Sequence, residues 1–322
     1  MATLEVGELI AQKSESLQLT VLTGDKGLER VLTVPEVSSP GLVLAGFTSR
    51  FMAKRLYVLG ETEIAYLKSL SPKERRQTLS RFLEYDIPGV FVTKGQTPPR
   101  ELVTLARQRG IAVVRSALKT AEFYRRITPY LMEYFAPTTV VHGSLADVYG
   151  VGLLFIGESG IGKSECVLDL VERGHRLVAD DVVHITRRGT DVLIGRANEL
   201  SFRYMEIRGI GLVDVSALFG IRAVRHQKRI EVIVELAVWD SARDVERTGL
   251  DGKEQTILDV RLPHVVVPLN PGKNITVISE VVAMNHLLRY SGVDAAQVFN
   301  DRLLGRMAEQ RQLREYLTED YE

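Results

Sequence analysis

Eight consecutive residues, Gly157-Glu158-Ser159-Gly160-Ile161-Gly162-Lys163-Ser164, carry the spacing of a phosphate-binding loop. The apolar run Gly152 to Ile156 precedes them and the helical stretch Glu165 to Val171 follows, the strand-loop-helix context that such a loop requires. Glycines let backbone N–H groups close around an anion, and the start of the helix adds positive potential. Lys163 has the reach to meet terminal phosphates, and the Ser164 hydroxyl is of a type that ligates magnesium. The chemistry is the binding of an oligophosphate. Cys166, on the following helix, reads as a packed small side chain rather than a nucleophile.

Seventeen residues beyond Lys163, after a turn at Gly174, the apolar Leu177 to Ala179 delivers Asp180 and Asp181 near the parallel strand ends that face such a loop. Adjacent aspartates point to opposite faces unless the strand bulges or ends, so one is expected to face the phosphates while the other orients metal-bound water or structure. A carboxylate beside another acid and a metal can take a proton from a hydroxyl and return it in reverse. The bland alternative is a solvated turn. Gly209 and Gly211 lack the third glycine and the strong preceding strand of a dinucleotide loop.

The elements that position these residues follow an α/β rhythm. Strand-like runs are expected at Val151 to Ile156, Leu177 to Ala179, Val182 to Ile185 and Glu231 to Trp239, with a helix-rich end from about Glu280. Upstream, Leu56 to Leu59, Val90 to Val92 and Ile111 to Val114 alternate with amphipathic stretches, which gives a small N-terminal α/β domain. Helix starts are marked by Ser71-Pro72-Lys73-Glu74 and by Thr97-Pro98-Pro99, the second helix ending at Gly110. A further helical pattern, Ala121 to Phe135, is broken by Ala136-Pro137, and the boundary is placed so that residues 1–131 form an N-terminal domain, structural or regulatory, and 132–322 a P-loop domain. Nothing in the first of these gathers the groups that chemistry needs.

The bulk composition agrees with two domains: 322 residues, 45% of them apolar. Lys plus Arg and Asp plus Glu both number 41, so no global field favours nucleic acid or an acidic membrane. A single cysteine excludes an internal disulfide, the histidines show no zinc-finger spacing, and no run is long enough to span a bilayer. A cytoplasmic protein with neither nucleic-acid nor membrane partner is expected.

Several blocks in order resemble HPr kinase/phosphorylase: His142-Gly-Ser-Leu-Ala-Asp-Val-Tyr-Gly150, the P-loop followed by Glu165, Gly174-His-Arg-Leu-Val-Ala-Asp180-Asp181, and the segment Met205 to Asp214. The resemblance continues through Glu246-Arg247-Thr248-Gly249 and Pro268 to Asn274, and so covers most of residues 132–290. The N-terminal half is similar only in length and general character.

The resemblance implies a bifunctional protein-serine kinase and phosphorylase. Such an enzyme phosphorylates a serine of the phosphocarrier protein HPr with ATP or pyrophosphate and Mg2+. In reverse it uses inorganic phosphate to release pyrophosphate, in the service of carbon regulation, as a homohexamer. It also implies a catalytic set of His142, Lys163, Asp180, Asp181 and Arg247, with Asp181 as proton acceptor and donor, and Ser164 and Glu206 as magnesium ligands. Met205-Glu206-Ile207-Arg208-Gly209-Ile210-Gly211-Leu212-Val213-Asp214 would serve both directions, and Pro268-Leu269-Asn270-Pro271-Gly272-Lys273 the dephosphorylation. Lys273 stands where the family pattern has arginine, which keeps the charge but loses the planar fork. Two rivals share the loop: a kinase for a small metabolite, and a nucleotide-responsive regulator without turnover.

Overall fold

The computed structural model describes residues 2–49, 51–238, 252–269 and 273–319, and the chain divides into two compact units, Met1–Ala136 and Pro137–Glu322. In the first, a five-stranded sheet runs in the order Leu19–Val21, Ala112–Ser116, Gly89–Val92, Leu56–Leu59, Val37–Ser38. The last four of these are mutually parallel, and Leu19–Val21 is antiparallel to its neighbour. Helices cover both faces, which is why the central strands read as unbroken apolar runs. Tyr57, Leu59, Val90 and Val92 meet Ile64, Phe82 and Leu105 on one side, while Val58, Phe91 and Val114 meet Leu9, Phe123 and Ile127 on the other. The cap at Ser71 forms as its sequence requires: the Glu74 amide donates to Ser71 Oγ at 3.4 Å, and the Ser71 amide donates to Glu74 Oε2 at 3.0 Å.

The second unit is built on two sheets. A six-stranded sheet runs Arg176–Ala179, Ser144–Val148, Val151–Gly157, Val232–Val238, Val260–Leu269, Glu254–Ile257. The P-loop strand, Val151–Gly157, is parallel to Val232–Val238, which is parallel to Val260–Leu269. A four-stranded antiparallel sheet, Gln227–Arg229, Val192–Arg196, Val182–Arg188, Thr138–His142, packs on one face through Leu145, Leu154, Val183, Leu193 and Ile233. The opposite face carries the helices Lys163–Glu172 and Ile275–Tyr290 and the hairpin Tyr204–Asp214, packed through Phe155, Val167, Leu170, Met205, Val234 and Ala283.

The α/β class and the P-loop strand and helix stand as expected. The sheet departs from the simple parallel picture, because Ser144–Val148 lies antiparallel between the P-loop strand and the strand leading to Asp180. That leading strand still runs in the direction of the P-loop strand, since each is antiparallel to the strand between them. The final helices start earlier than Glu280: Ile275–Tyr290 begins at an Asn274 cap, whose Oδ1 accepts from the Val277 amide at 3.1 Å. Trp239 lies outside the described residues.

Candidate active site

The P-loop strand ends at Gly157, where an added β-carbon would sit 2.5 Å from the carbonyl oxygen of Leu236. Its φ of 142° is one that side chains avoid, so glycine is required by conformation and by space. The loop then turns through Glu158, Ser159 and Gly160, all exposed, while Ile161 anchors it on the core. Gly162 caps the helix that opens at Lys163. Lys163 Nζ donates to the carbonyls of Gly157 and Glu158 at 3.0 and 2.9 Å, closing the arch with a cation at its mouth.

The two aspartates separate because their strand ends at Ala179, after a register shift between Leu177 and Ala179. Asp180 turns inward and is 5% exposed. Its Oδ1 accepts from Ser144 Oγ at 2.5 Å and from Ser164 Oγ at 3.0 Å, and its Oδ2 is buried without a hydrogen-bond partner. Burial pushes the carboxyl above the usual range, and the Ser144 and Ser164 hydroxyls pull it part of the way back. Asp181 takes a left-handed φ of 63° and is exposed. Its carbonyl accepts from the Gly143 amide at 3.0 Å, which places its backbone beside His142. His142 is exposed at the end of its strand, paired with Val182.

The hairpin Tyr204–Ile207 to Gly211–Asp214 alternates sharply. Met205, Ile207 and Val213 go into the core, which leaves Glu206 and Arg208 exposed. Arg208 packs against Gly160, so that a β-carbon on that glycine would meet its Nη1 at 2.1 Å. Gly209 and Gly211 both have positive φ and form the turn, which exposes Ile210 and Leu212. Asp214 serves the local structure, since its Oδ1 accepts from the Ala217 amide at 3.0 Å, and this bond above all holds its carboxyl below the usual range.

Pro268 and Leu269 end the strand that pairs with Ala237 and Val238, so they lie at the same C-terminal end of the parallel strands as Gly157. Lys273 is exposed at its far end. Arg247, Asn270, Pro271 and Gly272 lie outside the described residues. Ser144 is the site residue that sequence reasoning passed over, although it sits in the block begun by His142.

Among the described residues no group of three or more His, Cys, Asp or Glu could hold a metal by itself. Magnesium on a nucleotide takes one or two protein ligands and completes its shell with phosphate and water. The Ser164 hydroxyl and the exposed Glu206 fit such a partial shell, with the Asp180 carboxylate bonded behind Ser164.

Residues 133–303 match the family model described as the HPr Serine kinase C-terminal domain, and residues 4–131 match the HPr Serine kinase N terminus. A protein of Halalkalibacterium halodurans named HPr kinase/phosphorylase is 45% identical over 90% of this chain and 93% of its own length. One of the same name from Chloroherpeton thalassium is 46% identical over 91% of this chain and 86% of its own. A solved structure described as the Hpr(Ser) kinase/phosphatase from Coxiella burnetii shares 32% identity, with a TM-score of 0.45, over 50% of this chain and 98% of that one. With both of its halves matched, the chain belongs to the HPr serine kinase family and is an enzyme of that family.

Proposed function

We propose that this enzyme transfers a phosphoryl group from ATP or pyrophosphate to a serine of HPr, and removes it by phosphorolysis. The observation that carries the reading is the convergence on one spot of a lysine-closed phosphate loop, the Ser164 hydroxyl and the buried Asp180 carboxylate. In the forward direction the serine oxygen forms a bond to the terminal phosphorus as the bridging P–O bond breaks, and Asp181 takes the serine proton. In reverse an oxygen of inorganic phosphate attacks the phosphoserine phosphorus, the serine leaves with the proton returned from Asp181, and pyrophosphate departs. One anion cradle serves both, because backbone amides and Lys163 hold phosphate, pyrophosphate and nucleotide phosphates by the same contacts.

Ser164 and Glu206 are the proposed magnesium ligands, and the ion when bound neutralises charge on the phosphates. Arg208, lying on Gly160, is placed to follow the same phosphates, and His142 helps to place the incoming phosphate. Arg247 and the Pro268 to Lys273 segment are assigned on family resemblance, the latter to dephosphorylation. The N-terminal unit, whose sequence gathers no groups for chemistry, is assigned a regulatory or structural role; a cytoplasmic location is read from the composition and the single cysteine, and a homohexamer acting in carbon regulation from the family resemblance. No helix among the described residues is long and apolar enough to cross a membrane.

The test is to incubate the enzyme with HPr, ATP and Mg2+ and to follow HPr by mass spectrometry. A single added phosphoryl group on serine supports the reading. ATP binding with no transfer to HPr, but with turnover on a small metabolite, would replace it with a metabolite kinase.

A further inference from the structure

Ser144 is fully buried in the strand next to the P-loop strand, where it pairs with Phe155 and is followed by Leu145 and Ala146. A hydroxyl in such a place costs free energy unless it is bonded, and alanine would avoid that cost. Its bond is to Asp180 Oδ1 at 2.5 Å, the same oxygen that accepts from Ser164 at 3.0 Å. The other carboxylate oxygen is buried with no hydrogen-bond partner.

We propose that Ser144 is a positioning residue: by locking the Asp180 carboxylate it fixes the direction in which the Ser164 hydroxyl presents its lone pairs to bound magnesium and phosphate. The inference rests on the phosphotransfer reading above. A serine hydroxyl has one proton and two lone pairs, so where the proton goes decides where the lone pairs point. Two donors from separate elements, the strand and the P-loop helix, converge on one oxygen and hold the carboxylate against rotation about its Cβ–Cγ bond. Without Ser144 the one side chain that ties the carboxylate is Ser164, the residue it is meant to orient, with the Asp181 and Glu206 backbone groups as its other partners. The free Oδ2 can then exchange with Oδ1, and the Ser164 proton follows either one. Support of this kind behind a ligand governs how well the ligand is presented.

The experiment compares Ser144→Ala and Ser144→Thr with the unaltered chain. It reads ADP affinity with and without Mg2+ by calorimetry, melting temperature, and kcat and KM for transfer to HPr. Ser144→Ala should weaken the Mg2+-dependent part of ADP binding and lower kcat, each by about tenfold. Metal-free ADP affinity should stay within about twofold, while the KM for the magnesium nucleotide rises with the loss of Mg2+-dependent binding. Ser144→Thr, which keeps the hydroxyl, should recover most of both losses. An unchanged magnesium response overturns the proposal, and so does a parallel fall in metal-free affinity and melting temperature, which would make the hydroxyl merely structural. If the unaltered chain does not phosphorylate HPr, the functional reading falls, yet the magnesium dependence of ADP binding still judges Ser144.

Discussion

The guanidinium of Arg208 lies against the α-carbon of Gly160, where a β-carbon would stand 2.1 Å from Nη1. The contact joins the turn of the hairpin Tyr204–Asp214 to the middle of the phosphate loop. The φ of 79° favours glycine at this position, and a β-carbon would push the Arg208 guanidinium aside.

Gly160→Ala should therefore act partly through Arg208, by displacing it from the loop. Both Gly160→Ala and Arg208→Ala are expected to lower kcat/KM for transfer by about 100-fold. The double variant should lose much less than the product of the two, because both disturb one contact. A double-mutant cycle on transfer rates checks this, and full additivity would mean that the two residues act separately.

The aspartates should part company under substitution. Asp181→Asn removes the proposed proton acceptor at an exposed position, so transfer should fall by about 100-fold or more while nucleotide affinity and melting temperature hold. Asp180→Asn replaces a carboxylate bound to two hydroxyls in the interior, so its first effect should be on Mg2+-dependent nucleotide binding. Calorimetry beside a transfer assay distinguishes the two patterns. Unchanged transfer in Asp181→Asn would remove that residue from proton transfer.

A buried pairing away from the phosphate loop should contribute to the acid dependence of stability. Glu280, on the helix Ile275–Tyr290, accepts from Arg173 Nε and Nη2 at 2.8 and 2.7 Å, and its Oε1 lies 3.0 Å from His175 Nε2. The Arg173 bonds, with help from His175, pull its carboxyl down from 4.5 to about 2. Protonation therefore favours the unfolded chain: the stabilisation is complete above pH 4.5 and is lost as pH falls towards about 2. Glu280→Gln should flatten that window and cost about 1–2 kcal/mol at neutral pH, since Arg173 is half exposed and solvent screens part of the attraction. Urea midpoints measured against pH test it, and an unaltered acid limb would contradict it.

The parts of the site legible in the sequence are those whose chemistry is local. Gly157 to Ser164 announces itself because loop, strand and helix are contiguous, and Asp180 and Asp181 because a short apolar run ends on two acids. The hairpin that carries Glu206 and Arg208 was legible only by resemblance. Each of its strands spans four residues, and its turn glycines read equally well as a loop. Ser144 gives no local signal, because its importance lies in a partner 36 positions away. The antiparallel strand Ser144–Val148 escaped for the opposite reason: it is buried along its whole length, so no alternation marks it.

If one phosphate cradle works in both directions, supplying phosphoserine-HPr with isotopically labelled inorganic phosphate and Mg2+ will show it: label appears in pyrophosphate in step with the loss of phosphoserine. Lys163→Met, which removes the cation at the mouth of the loop, then loses this reaction and ATP-dependent phosphorylation together. Loss of phosphoserine to orthophosphate without labelled pyrophosphate would contradict a shared cradle, as would a Lys163→Met enzyme that kept one direction intact.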